Sequence, residues 1–193
     1  MAFIGLKYMI CAPVTETDND VTYADGIVMS NAISSEISIE LNEAKLSADD
    51  RIVENIKEFR NGSLTLKGDH LSYQTLALIL GHKVDTGTDG NEILTASIDD
   101  DGQFVGVGFY ATSIQSGVRM FRAVWLRKVK FGVPNETLET KGDAGITFKT
   151  PEVKGTILAD VLGKWKEEGM FPTEAAARTW LNGKAAIVEP TTP

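Results

Sequence analysis

The chain has 193 residues (20.9 kDa), of which 42% are hydrophobic and 24% charged, enough to bury a core in one domain without help from a metal or a disulfide. Its single cysteine, Cys11, excludes an internal disulfide, and no apolar run approaches the roughly 20 residues of a bilayer-spanning helix. A net charge of −8 and a pI near 4.8 count against a nucleic-acid-binding module, which presents a basic face.

The prevailing local pattern is alternation of apolar and polar residues, the period of a β-strand. Phe3–Ile10 reads as a first strand; interrupted by Lys7 and lacking a basic leader region, it is not expected to be a signal peptide. Over Ile33–Leu41 the alternation is clearer, with Ile33, Ile37, Ile39 and Leu41 on one face and Ser34, Glu36, Ser38 and Glu40 on the other. The segment from Asn42 to Arg60 breaks it, with five acidic and four basic side chains around Leu46, Ile52, Val53, Ile56 and Phe59. A long connection of this composition suits a loop that lies on another subunit, and equally a helix that covers its own sheet. Gly62–Asp69 restores the alternation, Leu64 and Leu66 opposing Ser63, Thr65, Lys67 and Asp69.

Leu71–Leu80 has helical spacing, with Ser72 as N-cap and Gly81 as stop. Asp85–Gly102 carries six acidic residues and no basic one, and reads as a solvated loop and hairpin region. Phe104–Ile114 and Val118–Phe131 are long β-branched and aromatic runs joined at Ser116-Gly117, as a hairpin requires. Ala144–Thr150 and Val153–Ala159 supply two further strands around Pro151. A C-terminal helix follows Pro172, over Thr173–Leu181 within 171–183, and is expected to end at Asn182-Gly183. The resulting expectation is a mainly β (β+α) fold: a β-sandwich or barrel with one flanking helix and a small C-terminal helical appendage, one domain over 1–183 with a tail at 184–193.

Catalytic and cofactor signatures are weak. Gly106-Val-Gly108-Phe-Tyr-Ala111 matches a dinucleotide-binding pattern in letters only, because strand residues follow where a helix must begin; the glycines read better as sites of close packing. Aligned to a calcium loop from Asp85, Gly87 and Ala96 fall at ligand positions, so no metal site is expected. His70 and His82 flank the first helix and read as structural. Arg119, Arg122, Arg127, Lys128 and Lys130 interleave with Phe121 and Trp125, a pattern open to nucleic-acid binding but more simply explained by pairing with acidic groups of a neighbouring strand or subunit. No enzyme activity and no cofactor is expected.

Gly108-Phe-Tyr-Ala111 and Gly117-Val-Arg-Met-Phe-Arg-Ala-Val-Trp-Leu-Arg-Lys-Val-Lys-Phe131 closely resemble the major tail proteins of siphophages infecting Gram-positive bacteria, the phi13 type. Gly62–Lys67 ahead of the Leu71–Gly81 helix, Pro134–Gly142, Ile146–Pro151 and Phe171–Trp180 resemble the same family in the same order. The resemblance implies a tail tube domain over 1–183 and homo-hexameric rings that stack into a tube. It implies the tape measure protein inside, tail terminator and distal tail proteins at the ends, and DNA in transit without specific binding or any membrane. Its place would be the virion tail, assembled in the host cytoplasm. A tube of a contractile tail, tailocin or secretion apparatus is the nearest alternative, and a monomeric surface- or carbohydrate-binding β-sandwich a more distant one. On this reading Ser34, Glu36, Ser38, Glu40 and, less strongly, Asp69 face the lumen; an ordinary solvated outer face is the alternative. Leu46, Asp49, Asp50, Arg51, Ile52, Ile56 and Phe59 are the expected inter-subunit or inter-ring contacts.

Overall fold

The computed structural model describes residues 2–48, 51–115, 117–134 and 150–188. They form β1 (Ala2–Thr17), β2 (Asp20–Tyr23), β3 (Ile27–Ser30), β4 (Ala32–Ala48), β5 (Arg51–Gly68), α1 (Tyr73–Leu80), β6 (Lys83–Thr86), β7 (Glu92–Thr95), β8 (Val105–Gln115), β9 (Val118–Phe131), β10 (Glu152–Leu158), β11 (Lys166–Phe171) and α2 (Glu174–Ala185). The protein is mainly β. Nine strands make one antiparallel sheet in the order β2-β1-β8-β9-β10-β5-β4, with β3 also on β1 and β11 on β9; β6 and β7 form a separate hairpin. The strand expected over Ala144–Thr150 lies outside the described residues.

Long strands are held at the centre by the β8–β9 ladder, which runs from Val105↔Val129 to Gln115↔Val118. The turn between them holds Gly117 at φ +79°, a conformation that glycine adopts without steric cost. Alternation along these strands feeds two cores. On one face Met9, Cys11, Val107, Leu126, Leu64 and Ile157 pack beneath Leu76 and Ile79 of α1. On the other, Ile10, Ala123 and Trp125 pack beneath Ala177, Leu181 and Ala185 of α2.

Helix α1 carries the caps that its sequence announces. Ser72 Oγ accepts the Thr75 N–H at 3.1 Å, and Gly81 closes α1 in the left-handed region with its N–H on Ala77 O. Thr173 Oγ1 likewise accepts the Ala176 N–H. The end of α2 differs from expectation: the helix runs through Asn182-Gly183 to Ala185. Tertiary contacts override the local stop, because Leu181 and Ala185 are buried on the sheet and Asn182 Oδ1 accepts the Tyr8 hydroxyl at 2.6 Å. Expected as an appendage, α2 is the cover of a core of its own.

The largest correction concerns 42–60. Over 42–48 and 51–60 it is neither loop nor helix but the outer part of β4 and β5, paired from Leu41↔Phe59 to Ala48↔Arg51. The physical reason is exposure on both faces, since a strand without a buried side has no need to alternate.

Candidate functional site

The β4–β5 hairpin has two parts. From Ala32↔Gly68 to Glu40↔Asn61 it belongs to the sheet, because β5 is flanked on its other side by β10 from Glu152↔Lys67 to Ile157↔Gly62. Beyond, β5 has no second neighbour among the described residues, and the two strands project as an arm whose residues 41–47 and 51–58 are all exposed. At the junction the register shifts, leaving Arg60 unpaired as a bulge, a feature that bends a ladder. Phe59, just beyond it, stacks on Trp165 with ring centroids 4.9 Å apart and planes 1° from parallel. That contact pins the arm's base to the domain. β4 itself ends the sheet, so its outer edge carries no strand among the described residues.

Directly opposed residues share a face, and this divides the arm sharply. One face holds Glu43↔Lys57 and Lys45↔Asn55. Glu43 accepts from Asn55 Nδ2 at 2.9 Å and lies 3.2 Å and 3.8 Å from the Lys45 and Lys57 ammoniums. The Asn55 hydrogen bond first, and then Lys45, hold the Glu43 carboxyl below its ordinary range. The opposite face holds Asn42↔Glu58, Ala44↔Ile56 and Leu46↔Glu54. Leu46 is 58% exposed there and Ile56 48%, and neither Glu54 nor Glu58 has an ion pair among the described residues. A second register shift follows Leu46, leaves Val53 unpaired and sets Ile52 opposite Ser47, which alternation along β4 puts on the face of Glu43 and Lys45. Of the expected contact residues, Leu46 and Ile56 therefore share one open face, Ile52 is exposed beyond the shift, and Arg51 lies exposed toward the tip. Phe59 is consumed in anchoring the arm. Asp49 and Asp50 lie outside the described residues.

The same face continues down the sheet as the polar surface read from sequence. Ser34, Glu36, Ser38 and Glu40 are all exposed, opposite Lys67, Thr65, Ser63 and Asn61. The next strand adds Glu152, Lys154 and Thr156. Lys67 and Lys154 both pair with Glu152, at 2.9 Å and 3.3 Å, so Glu36 and Glu40 are left without a cation among the described residues. Asp69 is different in kind. It lies past the end of β5, accepts the Asn31 side-chain and backbone N–H groups at 2.6 and 3.0 Å, and contacts His70 Nδ1. These bonds, that of the Asn31 side chain foremost, lower its carboxyl to about 2. Asp69 is a lock on the β3–β4 junction more than an element of an open wall.

A cavity of about 520 Å³ opens between β1 and β4, chiefly on the opposite face, with Ser34 also among its lining residues. Phe3 and Leu6 border it on one side, Ile37 and Ile39 on the other, with Phe109 and Val124 beneath and Arg122, Trp165 and Lys166 at one end. No ladder joins β1 to β4; β2 and β3 pair only with Val14–Thr17 and Met9–Cys11. The sheet thus curves toward closure but leaves a seam. The arm's pairing, Trp165 and this cavity were not expected from sequence: their partners lie far apart in the chain, and Trp165 sits in no periodic segment.

Four of the five basic residues on β9 are paired within the domain. Arg122 Nη2 meets Glu168 at 2.6 Å, Arg127 is held by Asp160 and Glu167, Lys128 by Glu16, and Lys130 by Asp101 at 2.6 Å. The reading as ion pairs stands for these four, with partners on β11, on β1 and in two loops, whereas Arg119 has no ion pair among the described residues. The Asp160 side chain is fully buried; burial alone raises its carboxyl, but the Lys164 and Leu162 amides and Arg127 outweigh it and hold the carboxyl below the ordinary range. Gly106 and Gly108 lie in β8 as close-packing sites. A Cβ on Gly106 meets Trp125 at 2.3 Å, and one on Gly108 meets Trp125 at 2.8 Å. His82 Nδ1 contacts Asp100 at 2.8 Å, tying the end of α1 to the loop before β8. Among the described residues no three His, Cys, Asp or Glu side chains converge as a metal site, and no helix is long and apolar enough to cross a membrane.

What these features define is a mainly β domain with an uncovered strand edge and a projecting, partly apolar arm. No known protein family matches the chain, and no curated protein matches it.

Proposed function

We propose that the chain is the repeating structural subunit of a bacteriophage tail tube, acting by assembly and not by catalysis. The observation that carries the reading is the β4–β5 arm: it stands clear of the domain, exposes Leu46 and Ile56 on one face and Ile52 nearer its tip, and belongs to an edge strand of 17 residues. A free edge of that length is a template for strand addition, and exposed aliphatic side chains on it favour association. The resemblance of Gly108–Ala111 and Gly117–Phe131 to siphophage major tail proteins supports the same reading. On it, six copies close a ring, rings stack around the tape measure protein, and tail terminator and distal tail proteins meet the two ends.

The face of Ser34, Glu36, Ser38 and Glu40 then lines the lumen. On β4, β5 and β10 it carries the carboxylates of Glu36, Glu40 and Glu152 against the ammoniums of Lys67 and Lys154, both already on Glu152. A wall of hydroxyls and a slight excess of negative charge offers duplex DNA no free cation to hold, so DNA passes without sticking. The test is negative-stain microscopy of the concentrated full-length protein, with and without purified tail tips as nuclei. Tubes of constant diameter are expected; subunits that stay monomeric under both conditions refute the proposal.

A further inference from the structure

We infer that the arm of one copy docks its apolar face into the seam cavity of a second copy, so that every subunit is both donor and acceptor. This rests on the tube reading for its partner, which is the same chain.

The two surfaces match in chemistry. The arm offers Leu46 and Ile56, with Ala44 between them, and the cavity offers Leu6, Ile37, Ile39, Phe109 and Val124 within about 520 Å³. They also match in charge. At the cavity's end Arg122 and Lys166 share one carboxylate, Glu168, at 2.6 Å and 3.0 Å, so one positive charge there is unbalanced. The arm's apolar face carries Glu54 and Glu58, which have no ion pair among the described residues. Ser35 Oγ, buried on the cavity wall, has no hydrogen-bond partner of its own, and a segment entering the seam can supply one.

The occupant is another copy because a subunit's own arm is directed away. Phe59 is fixed against Trp165 at the cavity's end. From Ile39 on the cavity wall, Leu46 lies seven residues further along β4, about 23 Å at ~3.3 Å per residue. Donor and acceptor are different surfaces of one chain, so the contact is head-to-tail and propagates instead of closing a two-fold dimer.

Cysteine pairing between copies tests this. Full-length protein carrying Leu46→Cys or Ile56→Cys is mixed with protein carrying Phe3→Cys and mildly oxidised under tube-forming conditions. The native Cys11 does not compete, because burial pushes its thiol up to about 12. At least one mixture is expected to give a disulfide-linked dimer that neither component gives alone. In parallel, Glu54→Lys with Glu58→Lys is expected to raise the concentration needed for assembly at least ten-fold with the thermal midpoint unchanged. Tubes that form without any cross-link, and whose assembly ignores the charge reversal, overturn the docking and leave the tube reading standing. Cross-linking that occurs only within a single chain carrying both cysteines also overturns it. Failure of the wild-type chain to assemble at all removes the tube reading together with this inference.

Discussion

Replacing Leu46 and Ile56 together by serine strips the apolar character from one face of the arm while leaving both cores intact. Complete burial of an aliphatic side chain is worth about 1.5–3 kcal/mol. These two are 58% and 48% exposed in the free subunit, so roughly half of that remains to be gained on docking. That is on the order of 1 kcal/mol each, or about 2 kcal/mol per arm, and at ~1.4 kcal/mol per decade it corresponds to roughly 25-fold in the association constant. The assay is the critical concentration for assembly, read by sedimentation and electron microscopy, alongside thermal unfolding of the unassembled subunit. The midpoint is expected to hold, since substitutions at exposed positions remote from a core stay within about ±0.5 kcal/mol. Assembly of the double variant at the wild-type concentration refutes the arm as an interface. A large fall in its melting temperature refutes the claim that these side chains wait for a partner.

Asp160→Ala removes a fully buried carboxylate and leaves Arg127 with Glu167 as its remaining carboxylate; a broken buried pair costs about 3–5 kcal/mol, which calorimetry should read as a midpoint roughly 10 °C lower. Because the Asp160 and Glu167 carboxyls are lowered on folding, their stabilisation is complete above the ordinary carboxylate range near pH ~4 and disappears as pH falls through their lower folded values; Asp160→Asn should flatten that acid limb in a plot of melting temperature against pH. Gly108→Val drives side-chain atoms into Trp125 and Leu181, for an expected loss of about 1–3 kcal/mol by denaturant titration, and an unchanged midpoint would show that the glycine has no packing role. Glu36→Lys with Glu40→Lys should leave tube formation intact but make assembled tubes retain duplex DNA in a salt-dependent way; tubes that ignore DNA at ~0.05 M salt would remove this face from the lumen.

Legibility in the sequence followed burial. β9 was readable end to end because Val124, Leu126 and Val129 sit in one core and Ala123 and Trp125 in the other, giving a strand too apolar to be anything else. α1 was readable from Ser72 and Gly81, whose caps act through neighbouring backbone alone. The arm was not readable as strand, since neither of its faces is buried and its ladder closes with mixed charges and scattered aliphatics. Its apolar positions were nevertheless visible as candidate contacts. β11 escaped because Lys166-Glu-Glu-Gly-Met-Phe171 shows no alternation, its place being fixed by pairing with β9 and by Glu167 and Glu168 on the basic strand. Asp69 was legible as a polar-face residue, but its role as a lock depends on Asn31, 38 positions away.

The net charge of −8 is unevenly placed, and the placement connects the two roles proposed for the hairpin. Of the carboxylates on β4 and β5, Glu43 is neutralised on the arm's other face, while Glu36, Glu40, Glu54 and Glu58 all stand on one face without ion pairs among the described residues. Only Lys67, held by Glu152, breaks this row on β4 and β5, and the row repels a negative surface that approaches it. What changes along the row is its apolar content: hydroxyls separate the charges at Ser34 and Ser38, whereas Ala44, Leu46 and Ile56 surround them on the arm. Near the body, repulsion acts alone and the surface stays wet. On the arm, aliphatic burial adds an attraction, and a neighbouring Arg122 or Lys166 turns the same carboxylates from a cost into a determinant of register. Added salt separates the contributions, because it screens both charge effects and leaves the aliphatic one. Assembly that weakens only modestly between ~0.05 and ~0.5 M salt, while the Glu36→Lys, Glu40→Lys tubes release their DNA over the same range, is the pattern this division of labour requires.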